Sequence, residues 1–437
     1  MEQELKYLLN KQKLYLIVLI SAAMILMLAN IAGAAPFAYI TNSIDKTVSV
    51  IDTATNMVTA TINVGTKPNG VAVTPDGTKV YVANTATNSS SSSANTSVID
   101  TATNKVTANV TVGTSPFGVA VTSNGQIAYV TDKTSSYVFA INTTTYNITP
   151  MRGVGEFPSG VAVTPDGIKV YVAVAYPFPG EVEVFNTNTH TLFDLSVGIE
   201  PYGVAGTPDG STVYVTNQNS NNVSVINTTN NTAYASVNVG NSPTGVAVTP
   251  DGSNVYVTNK LDNTISVTDT ATNTIVATVS VGKWPYGVAV TPDGRKVYVA
   301  NSGSNNVSVI DTATNTVTAT VNVGNGPIAF GKFIGPQPVT PTITWSNPAD
   351  ICQGMPLSYD QLDAAASPAA GTFYYNPDVG TVLRAGNQTL NVTFAPSDST
   401  NYTTASKTVY INVNECPEKH GFFHQTEYST FLPFQWG

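Results

Sequence analysis

The sequence predicts an all-β protein, a seven-bladed β-propeller followed by a small β-sandwich, on three observations. First, Tyr-Val-Thr-Asn or a close variant recurs at Tyr39, Tyr81, Tyr129, Tyr171, Tyr214, Tyr256 and Tyr298, with steps of 42 or 43 residues and a single step of 48. A period of about 40 to 45 residues built from short strands is that of a propeller blade. Second, the two ends of the repeat region complement each other, so a ring can close. Third, the period stops near residue 335 while strand-like runs continue.

Composition fits this class. Only 10% of the 437 residues are charged, the net charge is −9, and Thr, Asn, Ser, Val and Gly abound, which suits β-structure with uncharged polar surfaces. An acidic chain has no electrostatic footprint for nucleic acid or anionic lipid, so neither is expected as a partner.

Residues 1–34 read as a targeting segment: Lys6, Lys11 and Lys13, then the apolar run from Leu14 to Ala29, then Ala32-Gly33-Ala34, a small-residue cleavage pattern. The run falls just short of the roughly 20 residues that span a bilayer. A cleaved export signal and a retained N-terminal anchor both stay open. Either places the bulk of the chain outside the cytoplasm, at the cell surface, with membrane contact only through an uncleaved leader.

The propeller is expected over residues 36–335. Blade 5 shows the unit: Pro201-Tyr202-Gly203-Val204-Ala205-Gly206, the turn Thr207-Pro208-Asp209-Gly210, then strands around Tyr214, Val225 and Val237. Alternation of Val, Ile and Tyr with Ser, Thr and Ala marks four short strands. Thr-Pro-Asp-Gly is hairpin chemistry, with Gly for the left-handed position. Asp-Thr-Ala-Thr-Asn, as at Asp52 and Asp311, turns the third strand into the fourth. The small Val-Ala-Val strand belongs at the crowded axis. Residues 37–65 lack a first strand, and Pro327-Ile328-Ala329-Phe330-Gly331 supplies one after the last complete blade, which would remove an exposed edge.

Residues 336–341 form a proline-rich linker, stiff by composition. Residues 342–415, with strand-like runs at Thr342–Trp345, Thr372–Tyr375, Thr389–Phe394 and Thr408–Val413, suggest a small Ig-like β-sandwich. Cys352 and Cys416 bracket this module. A disulfide closing that loop would contribute roughly 4 kcal/mol, and a free pair stays open beside it. Residues 416–437 are an aromatic tail without strand periodicity. His420 and His424 lie four apart there, and poor order fits them better than a metal site.

Strand parity places the Thr-Pro-Asp-Gly and Asp-Thr-Ala-Thr-Asn turns on one face, here called Y. The blade-to-blade links and second-to-third strand loops fall on the other, X. Face Y is uniform, and its aspartates have turn roles. Face X is where blades differ: the residue between link Pro and Gly reads Asn69, Phe117, Ser159, Tyr202, Thr244, Tyr286 and Ile328. Phe157 and Trp284 precede link prolines, Ser89–Ser93 lengthens the blade-2 loop, and blade 4 carries Ala175-Tyr176-Pro177-Phe178-Pro179-Gly180. Phe117, Phe157, Tyr176, Phe178, Tyr202, Trp284 and Tyr286 are therefore candidate ligand-binding residues, a platform for sugar rings or a partner's loop. The competing role for them is packing between blades.

Signals for catalysis are sparse. His190 lies in a face-Y turn, no His/Cys/carboxylate cluster has metal-ligand spacing, and no nucleophile–base pair or phosphate loop stands out. No catalytic residue, metal or cofactor is expected. The one alternative is Glu181, Glu183 and Arg152 in the divergent blade 4, with both glutamates expected to face solvent. Twelve Asn-x-Ser/Thr triplets, Asn222 and Asn306 among them, suit a glycoprotein, although a repeat rich in these residues generates the triplet by composition.

The repeated motif resembles the YVTN family of seven-bladed propellers of archaeal and bacterial surface proteins. Ile343-Thr344-Trp345-Ser346-Asn347-Pro348, Ala385-Gly386, Val392-Thr393-Phe394 and Asn401-Tyr402 resemble an Ig-like repeat of prokaryotic surface proteins. The resemblance implies fold and extracellular location and carries no catalytic residue. The resulting expectation is a non-enzymatic surface-layer component or recognition module binding envelope glycan or surface proteins through face X. The alternative is an exported lyase or hydrolase acting on an extracellular polymer through blade 4.

Overall fold

The computed structural model describes residues 36–85, 94–151, 153–176, 178, 180–336, 338–367, 369–397 and 402–415. Expectations for the leader, the Ser89–Ser93 run, Arg152, Cys416 and the aromatic tail fall outside them. The chain divides into two compact units, one running to Thr340 with Asp398–Thr403 added, the other made of Pro341–Ser397 and the residues from Thr404 on.

The first unit is a seven-bladed propeller. Six sheets are four-stranded antiparallel meanders in chain order, and the first sheet, Phe37–Asn63, has three strands. Blade 5 is typical, with strands Pro201–Gly206, Thr212–Asn217, Asn222–Asn227 and Thr232–Asn238 from axis to rim.

Each letter of the repeated motif has a job in the ring. The tyrosine reaches the next blade's outer turn: Tyr171 Oη donates to Asn231 Oδ1 and Tyr256 Oη to Asn315 Oδ1, both at 3.0 Å. Valine fills the seam between sheets. The threonine hydroxyl donates to the next link's carbonyl, as Thr216 to Thr244 O at 2.9 Å and Thr258 to Tyr286 O at 2.8 Å. It also accepts from its own link glycine, as from Gly203 N at 2.7 Å and Gly245 N at 2.8 Å. The asparagine holds a serine of the third strand, for example Asn217 Nδ2 to Ser224 Oγ at 2.9 Å. The threonine hydroxyls and asparagine amide groups are thereby paired across seams that would otherwise be purely apolar, while Oδ1 of Asn42, Asn84, Asn217 and Asn301 is left without a partner.

The link glycines are required by the closeness of successive inner strands. A Cβ on Gly245 would lie 2.3 Å from Tyr286 O, and one on Gly203 2.3 Å from Thr244 O. Gly245→Ala is expected to destabilise the propeller by about 1–3 kcal/mol, as overpacking does. Urea unfolding measures this, and an unchanged midpoint would mean that the inner strands can spread.

Closure differs from the expected five-residue strand. The closing segment runs on to Gly335: Ile328 N donates to Thr41 O at 2.9 Å, Tyr39 N to Phe333 O at 2.9 Å and Gly335 N to Phe37 O at 3.0 Å. Between these contacts residues 330–332 bulge toward blade 2, where Val71 N donates to Phe330 O at 2.9 Å and Val73 N to Lys332 O at 3.1 Å. The cause is local. This segment carries Phe-Gly-Lys where most inner strands have Val-Ala-Val, and Gly331, at φ +119°, accepts a position where a Cβ would meet Val71 O at 2.8 Å. Tyr298 Oη completes the seam by donating to Asn56 Oδ1 at 2.5 Å.

In the second unit, Thr342–Thr344 pairs with Ala365–Ser367. A four-stranded sheet holds Ile351–Cys352, Ala405–Asn414, Gly386–Pro396 and Gly371–Asn376, in that order. Two short strands, Ile351–Cys352 and Ala365–Ser367, carry no periodicity and were not expected. Trp345, Leu390, Phe394 and Ile411 centre the core, and Trp345 Nε1 donates to Gln361 O at 3.1 Å. Cys352 is disulfide-bonded.

Candidate functional site

The links of blades 3, 5 and 7 bring three of the predicted aromatics to the face-X mouth of the axis. Phe117 and Tyr202 have ring centroids 5.6 Å apart, and Tyr202 and Tyr286 5.9 Å. The intervening blades place Ser159 and Thr244 at this level, both buried. Ser159 Oγ donates to Tyr202 O at 3.0 Å. Large and small residues alternate because rings from neighbouring blades would overfill the axis. The closing bulge adds Phe330, 5.4 Å from both Phe117 and Tyr202. The axis is thus plugged, and the cavity lined by Gly118, Gly160, Gly203, Gly245 and Phe330 is about 20 Å3, room for one water.

Two lysines address this plug from equivalent positions, immediately after the motif in blades 3 and 6. Lys133 Nζ lies 3.6 Å from the Phe117 centroid, 4.8 Å from the Tyr202 centroid and 3.5 Å from Tyr202 Oη. Lys260 Nζ stands 5.4 Å from the Tyr286 centroid. Burial among the rings pulls Lys133 down to about 8, the Glu200 carboxylate opposing this shift and Lys260 reinforcing it. Tyr202 and Tyr286 share a hydroxyl–hydroxyl hydrogen bond. Burial pushes Tyr286 up to about 12 and Tyr202 well above its ordinary value, so both keep their protons at neutral pH. One proton is spent between the rings and the other is free for a ligand oxygen.

The loop that carries Lys133 is held by its neighbour. Asp132 is fully buried, and its Oδ2 accepts from Thr114 N at 2.6 Å and Ser115 N at 2.5 Å, while Oδ1 accepts from Ser135 N at 2.7 Å.

The remaining candidates stand apart from this cluster. Phe157, Tyr176, Phe178 and Trp284 are exposed, and Phe157 and Trp284 sit at φ +59° and +52°, unusual for bulky side chains. His190 is exposed in its turn, its ring 6.0 Å from Phe185. Sequence reasoning missed Lys133, Lys260 and Phe330. The signal available was a lysine at the same repeat position in two blades.

Blade 4 corrects two expectations. Glu183 does not face solvent: it is 5% exposed, and its Oε1 accepts from Gly155 N at 2.6 Å. It stands where five other blades have serine, and Val174, two positions along the paired strand from its partner Val172, stands where those blades have asparagine. Its longer side chain accepts from the glycine three residues before the link proline, as Asn259 Oδ1 accepts from Gly240 N at 3.1 Å. An apolar cavity of about 10 Å3, lined by Val138, Val172, Phe185 and Leu192, adjoins it, and burial pushes its carboxyl up to about 7. The second correction concerns metal-ligand spacing. Strand pairing sets Glu183 opposite Asp194, and one carboxylate oxygen each from Glu181, Glu183 and Asp194 lies within 4.8 Å of the other two.

With this geometry in hand, residues 229–327, from the last turn of blade 5 through blade 7, match the family described as lactonase, 7-bladed beta-propeller. No curated protein matches the sequence. Among solved structures, Kuenenia stuttgartiensis hydrazine synthase is similar at 24% identity and TM-score 0.56, over 63% of this chain and 92% of that one. A functionally unknown protein from Desulfotomaculum acetoxidans is similar at 19% identity and TM-score 0.57, over 68% and 99%. A putative 6-phosphogluconolactonase from Bacteroides fragilis is similar at 16% identity and TM-score 0.56, over 68% and 97%. The structural likenesses bear on fold alone, and the fold is the propeller that the repeat predicts.

The family match over residues 229–327 corrects the functional expectation: it counts against a non-enzymatic surface-layer or recognition protein and favours the hydrolase alternative. The resemblance narrows likewise, to a seven-bladed propeller with a partial match to that family.

Proposed function

We propose that the protein is an exported hydrolase that opens cyclic or simple esters at the face-X mouth of its propeller. The observation that carries this reading is Lys133, an amine with a pKa of about 8 beside a tyrosine pair with a spare hydroxyl proton. The partial lactonase match supports the ester class, and the leader supports an extracellular setting.

The reaction runs as follows. The neutral amine of Lys133 takes a proton from water, and the resulting hydroxide bonds to the carbonyl carbon. The tyrosine pair donates its free proton's hydrogen bond to the developing oxyanion, a contact stronger in the transition state than in the ground state. The ring C–O bond then breaks, and the Lys133 ammonium returns the proton to the leaving alkoxide, giving a hydroxy acid. Lys260 supplies positive charge for an acidic substrate or product, and the aromatic rings offer faces for a sugar-derived ring.

The pH profile tests this. Hydrolysis of a lactone panel is expected to rise with pH and level off above about 8, the pKa of Lys133, as a base in its neutral form requires. Glu200, Lys260, Tyr202 and Tyr286 face this amine, and both tyrosines keep their protons across that range. A flat profile between pH 6 and 10, in units chosen to bracket that pKa, would remove Lys133 from the chemistry.

A further inference from the structure

The acidic cluster on the outer strands of blade 4 is separate from the mouth, and the chemistry proposed there does not use it. Glu181 and Glu183 project from one side of the third strand, Glu181 half-buried and Glu183 buried. Asp194 is exposed on the fourth strand, directly across from Glu183. Like charges set directly opposite on paired strands destabilise a sheet. Among the described residues, none of the three forms an ion pair.

The second observation is independent of the clustering. Glu183 Oε2 is buried and has no hydrogen-bond partner, although Oε1 is held by Gly155 N. Buried carboxylate oxygens without partners are costly and rare. In five of the other blades this position holds a short serine, which brings no charge into the sheet. Here the repeat is broken at two places together, Val174 for asparagine and Glu183 for serine, and the result is an oxygen-only donor set open to solvent on one side.

We propose that Glu181, Glu183 and Asp194 bind a calcium ion. The three carboxylates provide hard oxygen donors, their side-chain charges suit a divalent cation, and the exposed Asp194 side leaves room for waters to complete the six to eight ligands calcium takes. Magnesium demands a near-ideal octahedron at shorter distances, which a strand-to-strand donor set of mixed burial suits poorly. The ion would bridge the third and fourth strands of blade 4 and replace their repulsion with attraction.

The test uses the purified full chain, stripped with chelator and titrated with CaCl2 or MgCl2 by equilibrium dialysis and by thermal unfolding. One calcium per chain is expected, with Kd on the order of 10⁻⁴ M, in the range of extracellular calcium modules, and a thermal midpoint that climbs with calcium concentration. Asp194→Asn, at an exposed position that does not threaten folding, should weaken binding at least tenfold. Glu183→Gln should do the same and abolish the calcium-dependent climb. Lys133→Met should bind calcium like the wild type, so failure of the hydrolase reading and failure of this site are distinguishable. Absence of saturable calcium binding, unchanged binding by Asp194→Asn, or tighter magnesium binding would each overturn the proposal.

Discussion

Replacing Lys133 by methionine is expected to lower kcat/KM for ester hydrolysis by about 10²- to 10⁴-fold, the range general-base catalysis supplies, while raising thermal stability. The two effects share one cause. The folded protein holds this ammonium at a pKa of about 8, against an ordinary value of 10.5. Between those values the unfolded chain binds more protons, so stability from this group rises with pH across the window. Below it, the full cost of a desolvated charge is present. Methionine keeps the stem and removes the charge. Because Lys133 is partly exposed, solvent screening holds the gain to the order of 1 kcal/mol, or about 2 °C. The gain should be largest below pH 8 and fade as pH approaches the unfolded value. A methionine variant with wild-type kcat/KM would sink the assignment of the base.

Phe330→Ala is expected to cost about 3–5 kcal/mol, the range for emptying a buried phenylalanine site. Phe330 is 5% exposed and touches Phe117, Tyr202 and Tyr286, so its loss both unplugs the axis and loosens the closing bulge. Admitting water to the plug should also move the alkaline limb of the pH profile upward, because desolvation is what depresses Lys133. Phe157→Ala serves as the comparison. That ring is 53% exposed, and its removal should stay within about 0.5 kcal/mol. Urea midpoints measured side by side decide the matter, and equal midpoints would mean that Phe330 is not part of the core.

The blades were legible because seven copies of one unit, in phase, average out the ambiguity of any single strand. Their turns were legible because Thr-Pro-Asp-Gly states its geometry residue by residue. In the structure Thr249 Oγ1 donates to Asp251 Oδ1 at 2.5 Å and Gly252 takes φ +74°. The candidate site was legible in part. Phe117, Tyr202 and Tyr286 could be found because they vary at one repeat position. Lys133 and Lys260 escaped because the residue following the motif was not compared from blade to blade. Phe330 was hidden because its placement depends on a bulge, which no alternation pattern encodes. Asp194 escaped for a different reason. It is eleven positions from Glu183 in sequence, and only the register of the paired strands sets them face to face. Glu183 itself was misread because alternation gives the side of a strand but not what covers that side.

The stitched seam also has a kinetic consequence. The hydrogen bond from Ala329 N to Thr41 Oγ1 spans 288 positions, and that from Asn325 N to Asp45 Oδ2 spans 280. Blades 2 to 7 can each form from contiguous chain, but blade 1 must wait for Ile334 to be made. Until then, a nascent chain presents the open edge of Phe37–Asn42 on one side and the flank of blade 7 on the other. Contacts so distant in sequence slow folding, because the loop entropy must be overcome before they return any stabilisation. Closure is therefore the expected slow phase. The interval before it is when the chain is most prone to pair with another copy of itself.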